Sequence, residues 1–249
     1  MYLKFLILFL FPISLYAQNR IINNFGSAKG VLRKIYGKGH KTIYCSCEFQ
    51  KNSIKSKNCH LLTKKYKKRA KRLEWEHIVP AHAFGQSFPA WRQASSYCPD
   101  KKNSKGKLKK VSGRKCAAKK NELFRFMEAD LYNLAPAVGA INALRSNFSM
   151  TDGIDSKYEL CKGGIRLQAR KVSPPDSIKG DIARVYQYMD STYPGRGIIS
   201  KKNTNLYSKW SDLDPISSDE CVLYFAKKAY QKSENSVLEK PCKKILGKK

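Results

Sequence analysis

Acidic side chains are scarce in this sequence. Nineteen Asp and Glu stand against 49 Lys and Arg in 249 residues, a formal charge of +30 at neutral pH. A surface so one-sided repels itself and points to a polyanionic partner, nucleic acid ahead of acidic polysaccharide or anionic lipid. Histidine is sparse too, with four in all, and no two stand at the i, i+4 spacing of a helical zinc pair. There is no Cys-x-x-Cys, no glycine-rich loop closed by Lys-Ser/Thr and no Gly-x-Ser-x-Gly elbow. Zinc modules, P-loop nucleotide hydrolases and the commonest serine hydrolases are therefore poor fits.

Long apolar runs are missing beyond the first seventeen residues. Met1–Ala17 has one early Lys, an apolar stretch from Phe5 to Leu15 and a small residue at Ala17 before a polar Gln18-Asn19-Arg20. Too short for a membrane span of ~20 residues, it reads as a secretory signal peptide. The expected location is periplasmic or secreted, with no stable membrane insertion after cleavage. The remaining eight cysteines, Cys45, Cys47, Cys59, Cys98, Cys116, Cys161, Cys221 and Cys242, are even in number and read as disulfides in an exported chain. Cys59 is a natural local partner for Cys45 or Cys47, Cys116 for Cys98 and Cys242 for Cys221. The full pairing stays open.

With 42% hydrophobic residues the chain has enough apolar material for a core. No repeat and no Pro/Gly/Ser linker divides it, so residues 18–249 read as one domain. Residues 18–44 have room for one short helix. The basic run Lys64–Arg72 reads as a helix or helix end leading into a strand at Leu73–Val79, which Pro80 stops. Residues 99–113 are rich in Lys, Ser and Gly and sit between Cys98 and Cys116, a loop that a disulfide could tether. Asn121–Leu134 reads as a helix, and Pro136 is placed to open another through Arg145. From Pro174-Pro175-Asp176 onward, Ile178, Ile182, Val185, Tyr186 and Met189 form a stripe at helical spacing. Lys201–Trp210 and Ser218–Lys232 complete the helices. The expected class is α+β, helix-rich, with a small antiparallel sheet.

Chemistry concentrates in Leu73-Glu74-Trp75-Glu76-His77-Ile78-Val79-Pro80. Strict strand alternation sends Glu76 and His77 to opposite faces, so one site can use both only at a bulge or strand end. Phosphodiester hydrolysis needs a base for water, which neutral imidazole provides near its ordinary pKa of ~6.5. It also needs a cation at the phosphate. A hard ion such as Mg²⁺ is held by a carboxylate and an amide oxygen, while arginine forks onto the nonbridging oxygens.

Leu73–Gly85 (LEWEHIVPAHAFG), Gly113–Cys116 (GRKC), the block from Met127 to Phe148 (MEADLYNLAPAVGAINALRSNF) and the block from Pro174 to Met189 (PPDSIKGDIARVYQYM) together resemble the bacterial endonuclease I family. These are exported nonspecific nucleases of the ββα-metal (His-Me finger) superfamily. The blocks run in family order over nearly all of the mature chain. The resemblance implies a ββα-metal core, with His77 as general base, Glu76 and Asn142 as metal ligands, Arg114 as the arginine on the phosphate and Glu128 as a supporting active-site carboxylate. It implies Mg²⁺, with Mn²⁺ or Ca²⁺ as alternatives, and a monomer cutting DNA, and RNA too, to 5′-phosphate and 3′-hydroxyl ends. Lys101, Lys102, Lys105, Lys107, Lys109, Lys110, Lys115 and Arg145 are the expected nucleic-acid contacts.

Some positions depart from the family pattern. His82 replaces a usual Trp, Tyr132 an often-found His, and Ala140, Ala143 and Leu144 the usual residues around the metal-binding Asn. The Lys-rich stretch looks inserted. These changes motivate an alternative, a basic DNA- or polyanion-binding protein on a degenerate nuclease fold. Metal-dependent loss of full-length DNA separates the two.

Overall fold

The computed structural model describes residues 18–248 apart from Lys38, Ser56, Asn58, Asn103 and Lys105. The leader read at Met1–Ala17 lies outside the described residues. Helix α1 (Phe25–Ile35) comes first, with Asn24 as its cap: the side chain accepts from the Ser27 N–H. A small hairpin joins β1 (Phe49–Gln50) to β2 (Ser53–Ile54). Helix α2 spans only Lys67–Ala70, so the helix expected over Lys64–Arg72 is cut to one turn. Tyr66 enters it with a left-handed φ of 55°, and the crowded like charges oppose lengthening.

Strand β3 (Leu73–His77) is followed by α3 (Ala81–Gly85), α4 (Pro89–Arg92) and α5 (Ala94–Tyr97). A short hairpin, β4 (Lys101–Lys102) with β5 (Leu108–Lys109), occupies the Lys-rich stretch. Then come α6 (Gly113–Lys120) and α7 (Glu122–Glu128), a 3-10 turn over Leu131–Asn133, β6 (Leu134–Val138) and α8 (Gly139–Arg145). The helix expected over Asn121–Leu134 is interrupted because the Asp130 side chain caps the Tyr132 N–H and starts the tighter turn.

Pro136 does not open a helix. It lies in the middle of β6, opposite Trp75 of antiparallel β3, and the helix begins three residues later at Gly139. Its carbonyl accepts from the Ile43 N–H at 2.8 Å, on the side away from β3. The position lacking an N–H thus faces outward from the pair, where a strand tolerates proline. Strands β3 and β6 and the helix that runs on from them form a strand–strand–helix unit, with α8 packed on both strands.

Beyond it, β7 (Ser149–Met150), β8 (Arg166–Gln168) and β9 (Lys171–Ser173) make a three-stranded sheet in which β7 and β9 are parallel. The last third is helical: α9 (Lys179–Thr192), α10 (Lys201–Leu213), α11 (Ser218–Gln231) and α12 (Glu239–Ile245). The class is α+β as expected, with the strands spread over several small sheets. The α9 stripe behaves as its spacing predicts. Ile182, Tyr186 and Met189 are buried, and Tyr186 stacks on Tyr207 of α10 with centroids 4.4 Å apart.

Two apolar clusters meet at the β3–β6 pair. The larger gathers Ile78, Phe84, Phe124, Ile141, Met189 and Trp210 among others. The smaller joins Ala28 and Leu32 of α1 to Leu73, Trp75 and Leu134. All eight cysteines are paired. Cys47–Cys59, Cys98–Cys116 and Cys221–Cys242 are local, whereas Cys45 takes Cys161 across 116 residues.

Candidate active site

Alternation along β3 divides its side chains between two neighbourhoods. Leu73, Trp75 and His77 turn toward α1: Trp75 packs near Tyr36, and the His77 imidazole lies 4.7 Å from the Phe25 ring. Glu74 and Glu76 meet α2 and α8 on the other side. His77 is the last residue of the strand, which resolves the difficulty of two opposed neighbours serving one site. Asn133 holds the chain beyond it, its Oδ1 accepting from the Val79 N–H at 2.7 Å and its Nδ2 donating to the Val79 carbonyl at 3.0 Å. A cleft of about 710 Å³ opens there, lined by Glu74, Glu76, His77, Arg114 and Asn142 among others.

Glu128 serves this site twice. It ends α7, where the last carbonyls have no intrahelical partner, and its carbonyl accepts from His77 Nε2 at 2.8 Å. A carbonyl only accepts, so Nε2 carries the proton and Nδ1 is the basic nitrogen. Its carboxylate accepts from Arg114 Nε at 2.5 Å. Arg114 sits in the first turn of α6, whose Ser112 cap accepts from the Lys115 N–H. Gly113 allows that turn to approach α4, since a Cβ there would meet the Trp91 carbonyl oxygen at 2.4 Å. Burial, with the Arg114 charge second, pushes the imidazole down to about 3. His77 is thus neutral at physiological pH, with Nδ1 unprotonated.

Glu76 is 2% exposed. Its Oε1 accepts from Tyr44 OH at 3.0 Å and lies 3.2 Å from Arg145 Nε. Burial pushes the carboxyl up to about 7 against the lowering effect of Arg145. Arg145 departs from its expected role on nucleic acid. It is 0% exposed and donates to the carbonyls of Ile78 at 2.6 Å and His77 at 3.4 Å. Its guanidinium is committed to the interior and to Glu76, leaving no surface for a phosphate.

Glu74, given no role from sequence, is held by Arg69 through two hydrogen bonds of 2.9 and 2.5 Å and accepts from Asn142 Nδ2 at 3.1 Å. Gly139 lets α8 come this close, because a Cβ would lie 2.7 Å from both Glu74 Oε1 and the Arg69 carbonyl oxygen. The i, i+2 spacing of Glu74 and Glu76 was the available signal for a shared face. Phe25 and Tyr44, also missed by sequence reasoning, come from distant segments and carry no local signal.

Among the described residues no group of three or more His, Cys, Asp or Glu is placed to hold a metal ion. Oxygen donors do line the cleft, beside the imidazoles of His77 and His82. Asn142 uses Nδ2 on Glu74, which leaves Oδ1 as its acceptor, and Glu76 spends Oε1 on Tyr44 and Arg145, which leaves Oε2. A carboxylate oxygen with an amide oxygen suits a hard divalent cation completed by water, so these residues fit the ion that the sequence implies.

The expected lysines lie elsewhere. Lys101 and Lys102 form β4, Lys107, Lys109 and Lys110 are in or beside β5, and Lys115 is exposed on α6. Lys105 lies outside the described residues. None of Lys102, Lys107, Lys109, Lys110 and Lys115 lines the cleft. Of the departing positions, His82 lines it edge-on to Trp91. Tyr132 is buried and donates to the Ser233 carbonyl at 2.7 Å, and Ala140 is fully buried.

Comparison with known proteins bears on the family. A family profile for endonuclease I matches residues 15–242. An extracellular deoxyribonuclease of Aeromonas hydrophila is 32% identical over 228 residues, covering 89% of this chain and 90% of that protein. Endonuclease-1 of Buchnera aphidicola subsp. Acyrthosiphon pisum is 33% identical over 212 residues, 83% of this chain and 76% of its own. A periplasmic deoxyribonuclease of Aeromonas hydrophila is 30% identical over 232 residues, 90% and 89% respectively.

Proposed function

The chain belongs to the endonuclease I family, and from that premise we propose that it is an exported, metal-dependent, sequence-nonspecific endonuclease that hydrolyses DNA, and RNA as well. The observation that carries the proposal is the joint placement of His77 and Arg114 by one residue, Glu128, in a cleft that also holds Glu76 and Asn142. Four disulfides and relatives named extracellular or periplasmic support export.

In this mechanism Nδ1 of His77 takes the proton of a water attacking phosphorus in line with the 3′-oxygen, giving a 5′-phosphate and a 3′-hydroxyl. Glu128 holds the imidazole in the tautomer that leaves Nδ1 free. Arg114, with Nε on Glu128, directs its terminal nitrogens at the nonbridging oxygens. Glu76 and Asn142 would hold a Mg²⁺ ion, with Mn²⁺ or Ca²⁺ as alternatives, and such an ion offsets charge at the phosphate and the leaving oxygen. Glu74 and Arg145 act on the reaction only by aiming those two residues. Recognition through phosphates carries no sequence information, which accounts for nonspecific cutting.

The test is incubation of oxidised protein with supercoiled plasmid and with RNA, with Mg²⁺ or EDTA, and analysis of the new ends. Metal-dependent nicking to 5′-phosphate ends is expected. A plasmid that is shifted on the gel but intact in every lane would establish the alternative, a binding protein whose changes at Ala140, Ala143 and Leu144 removed catalysis.

A further inference from the structure

The arginines nearest the chemistry are already neutralised. Arg69 pairs with Glu74, Arg145 with Glu76 and Arg114 with Glu128, at 2.5, 3.2 and 2.5 Å. Charge within this inner set cancels. The same cleft has three other cations on its wall: Lys29 and Arg33 of α1 and Arg72 just before β3. None makes an ion pair among the described residues. Lys29 rests on the Phe25 ring at 4.8 Å, and Arg33 Nε donates to the neutral Asn52 Oδ1 at 3.2 Å. Lys29 and Arg33 stand one helical turn apart, so both present to the same side of α1. Arg33 and Arg72 are exposed.

We infer that Lys29, Arg33 and Arg72 form a phosphate-backbone subsite on the α1 side of the cleft, which grips the nucleic-acid strand beside the bond to be cut. Net positive charge over the whole surface draws the polyanion in, and these three uncompensated cations supply the net positive charge inside the cleft, where the carboxylate–arginine pairs are neutral overall. Phe25 ties the subsite to the chemistry, since its ring touches Lys29, Arg114 and His77. The inference takes its ligand from the nuclease reading.

The experiment measures fluorescence anisotropy of a labelled 20-base-pair duplex against NaCl concentration, in EDTA, with full-length His77→Ala protein so that no cutting intervenes. On that background Lys29→Gln/Arg33→Gln/Arg72→Gln is compared with Lys201→Gln/Lys202→Gln/Lys240→Gln, which removes the same charge from exposed positions outside the cleft. Each phosphate contact contributes about 0.9 to the slope of log affinity on log salt. The cleft triple is expected to flatten the slope by about 2 to 3 and to weaken binding about tenfold or more near 0.1 M salt, with the distal triple close to the parent. Equal slopes for the two triples would overturn the subsite, as would a loss of affinity at unchanged slope. Plasmid cutting by the unmutated protein is scored separately: duplex binding with the expected slope change but no cutting sustains the subsite and removes the nuclease reading.

Discussion

Replacing Arg145 with Met tests whether a residue of phosphate-binding type has been recruited to the interior. Arg145 is fully buried, lies 3.2 Å from Glu76 and donates to two carbonyls at the end of β3. Met fills much of the same volume but leaves Glu76 with Tyr44 OH alone and takes the donor from three carbonyls, those of His77, Ile78 and Ser146. Removing one member of a buried ion pair costs about 3–5 kcal/mol, mostly through the charge left behind. Replacing both members with neutral groups of similar shape costs much less, so Glu76→Gln/Arg145→Met should recover about 2 kcal/mol or more of the single-variant loss. The assay is urea unfolding of oxidised protein, followed by far-UV circular dichroism and closed into a double-mutant cycle. A surface arginine that contacts only phosphates would change stability by less than about 0.5 kcal/mol and show no coupling to Glu76. That result would refute the buried-pair assignment and restore Arg145 to the nucleic-acid contacts.

Other variants probe the site and its frame. Phe25→Ala removes the ring against His77, and kcat on saturating plasmid should fall about 10- to 100-fold; an unchanged kcat would show that the ring does not position the base. Glu74→Ala frees the Asn142 amide and Arg69, so Mn²⁺ affinity read by electron paramagnetic resonance should weaken about tenfold, and unaltered affinity would remove Glu74 from the account. Cys45→Ser/Cys161→Ser opens the loop of 116 residues and should cost about 3–5 kcal/mol in urea unfolding by the chain-entropy relation. A loss under about 1 kcal/mol would mean that other contacts alone hold that junction. Deleting Lys101–Lys110 should raise KM for DNA several-fold, and an unmoved KM would make the hairpin irrelevant to binding.

Periodic apolar patterns translated well from sequence to fold. The stripe from Ile182 to Met189 became one face of α9, with Ile178 just before its first turn, because spacing of three and four residues leaves a helix only one way to bury that face. Pro136 misled because a first-turn proline and an edge-strand proline satisfy the same two constraints, a set φ and no N–H; only the distant Trp75 and Ile43 decide between them. Arg145 misled for a related reason. Charge type says what a side chain can bind, and the buried Glu76 that claims it lies 69 residues away on β3. Three residues singled out in the sequence, His77, Arg114 and Asn142, do come together in one cleft. The site was illegible where the backbone does the work. The Glu128 carbonyl that sets the His77 tautomer has no sequence signature, and neither does a phenylalanine arriving from α1.

The most direct test of the account separates cutting from holding. Wild-type and His77→Ala proteins, both oxidised, are titrated with a labelled duplex in EDTA and then supplied with Mg²⁺ and supercoiled plasmid. If His77 supplies the base, the variant binds the duplex as the wild type does, while cutting falls by about two orders of magnitude or more. Plasmid cut by His77→Ala at near the wild-type rate would contradict the assignment of His77, and with it the central claim.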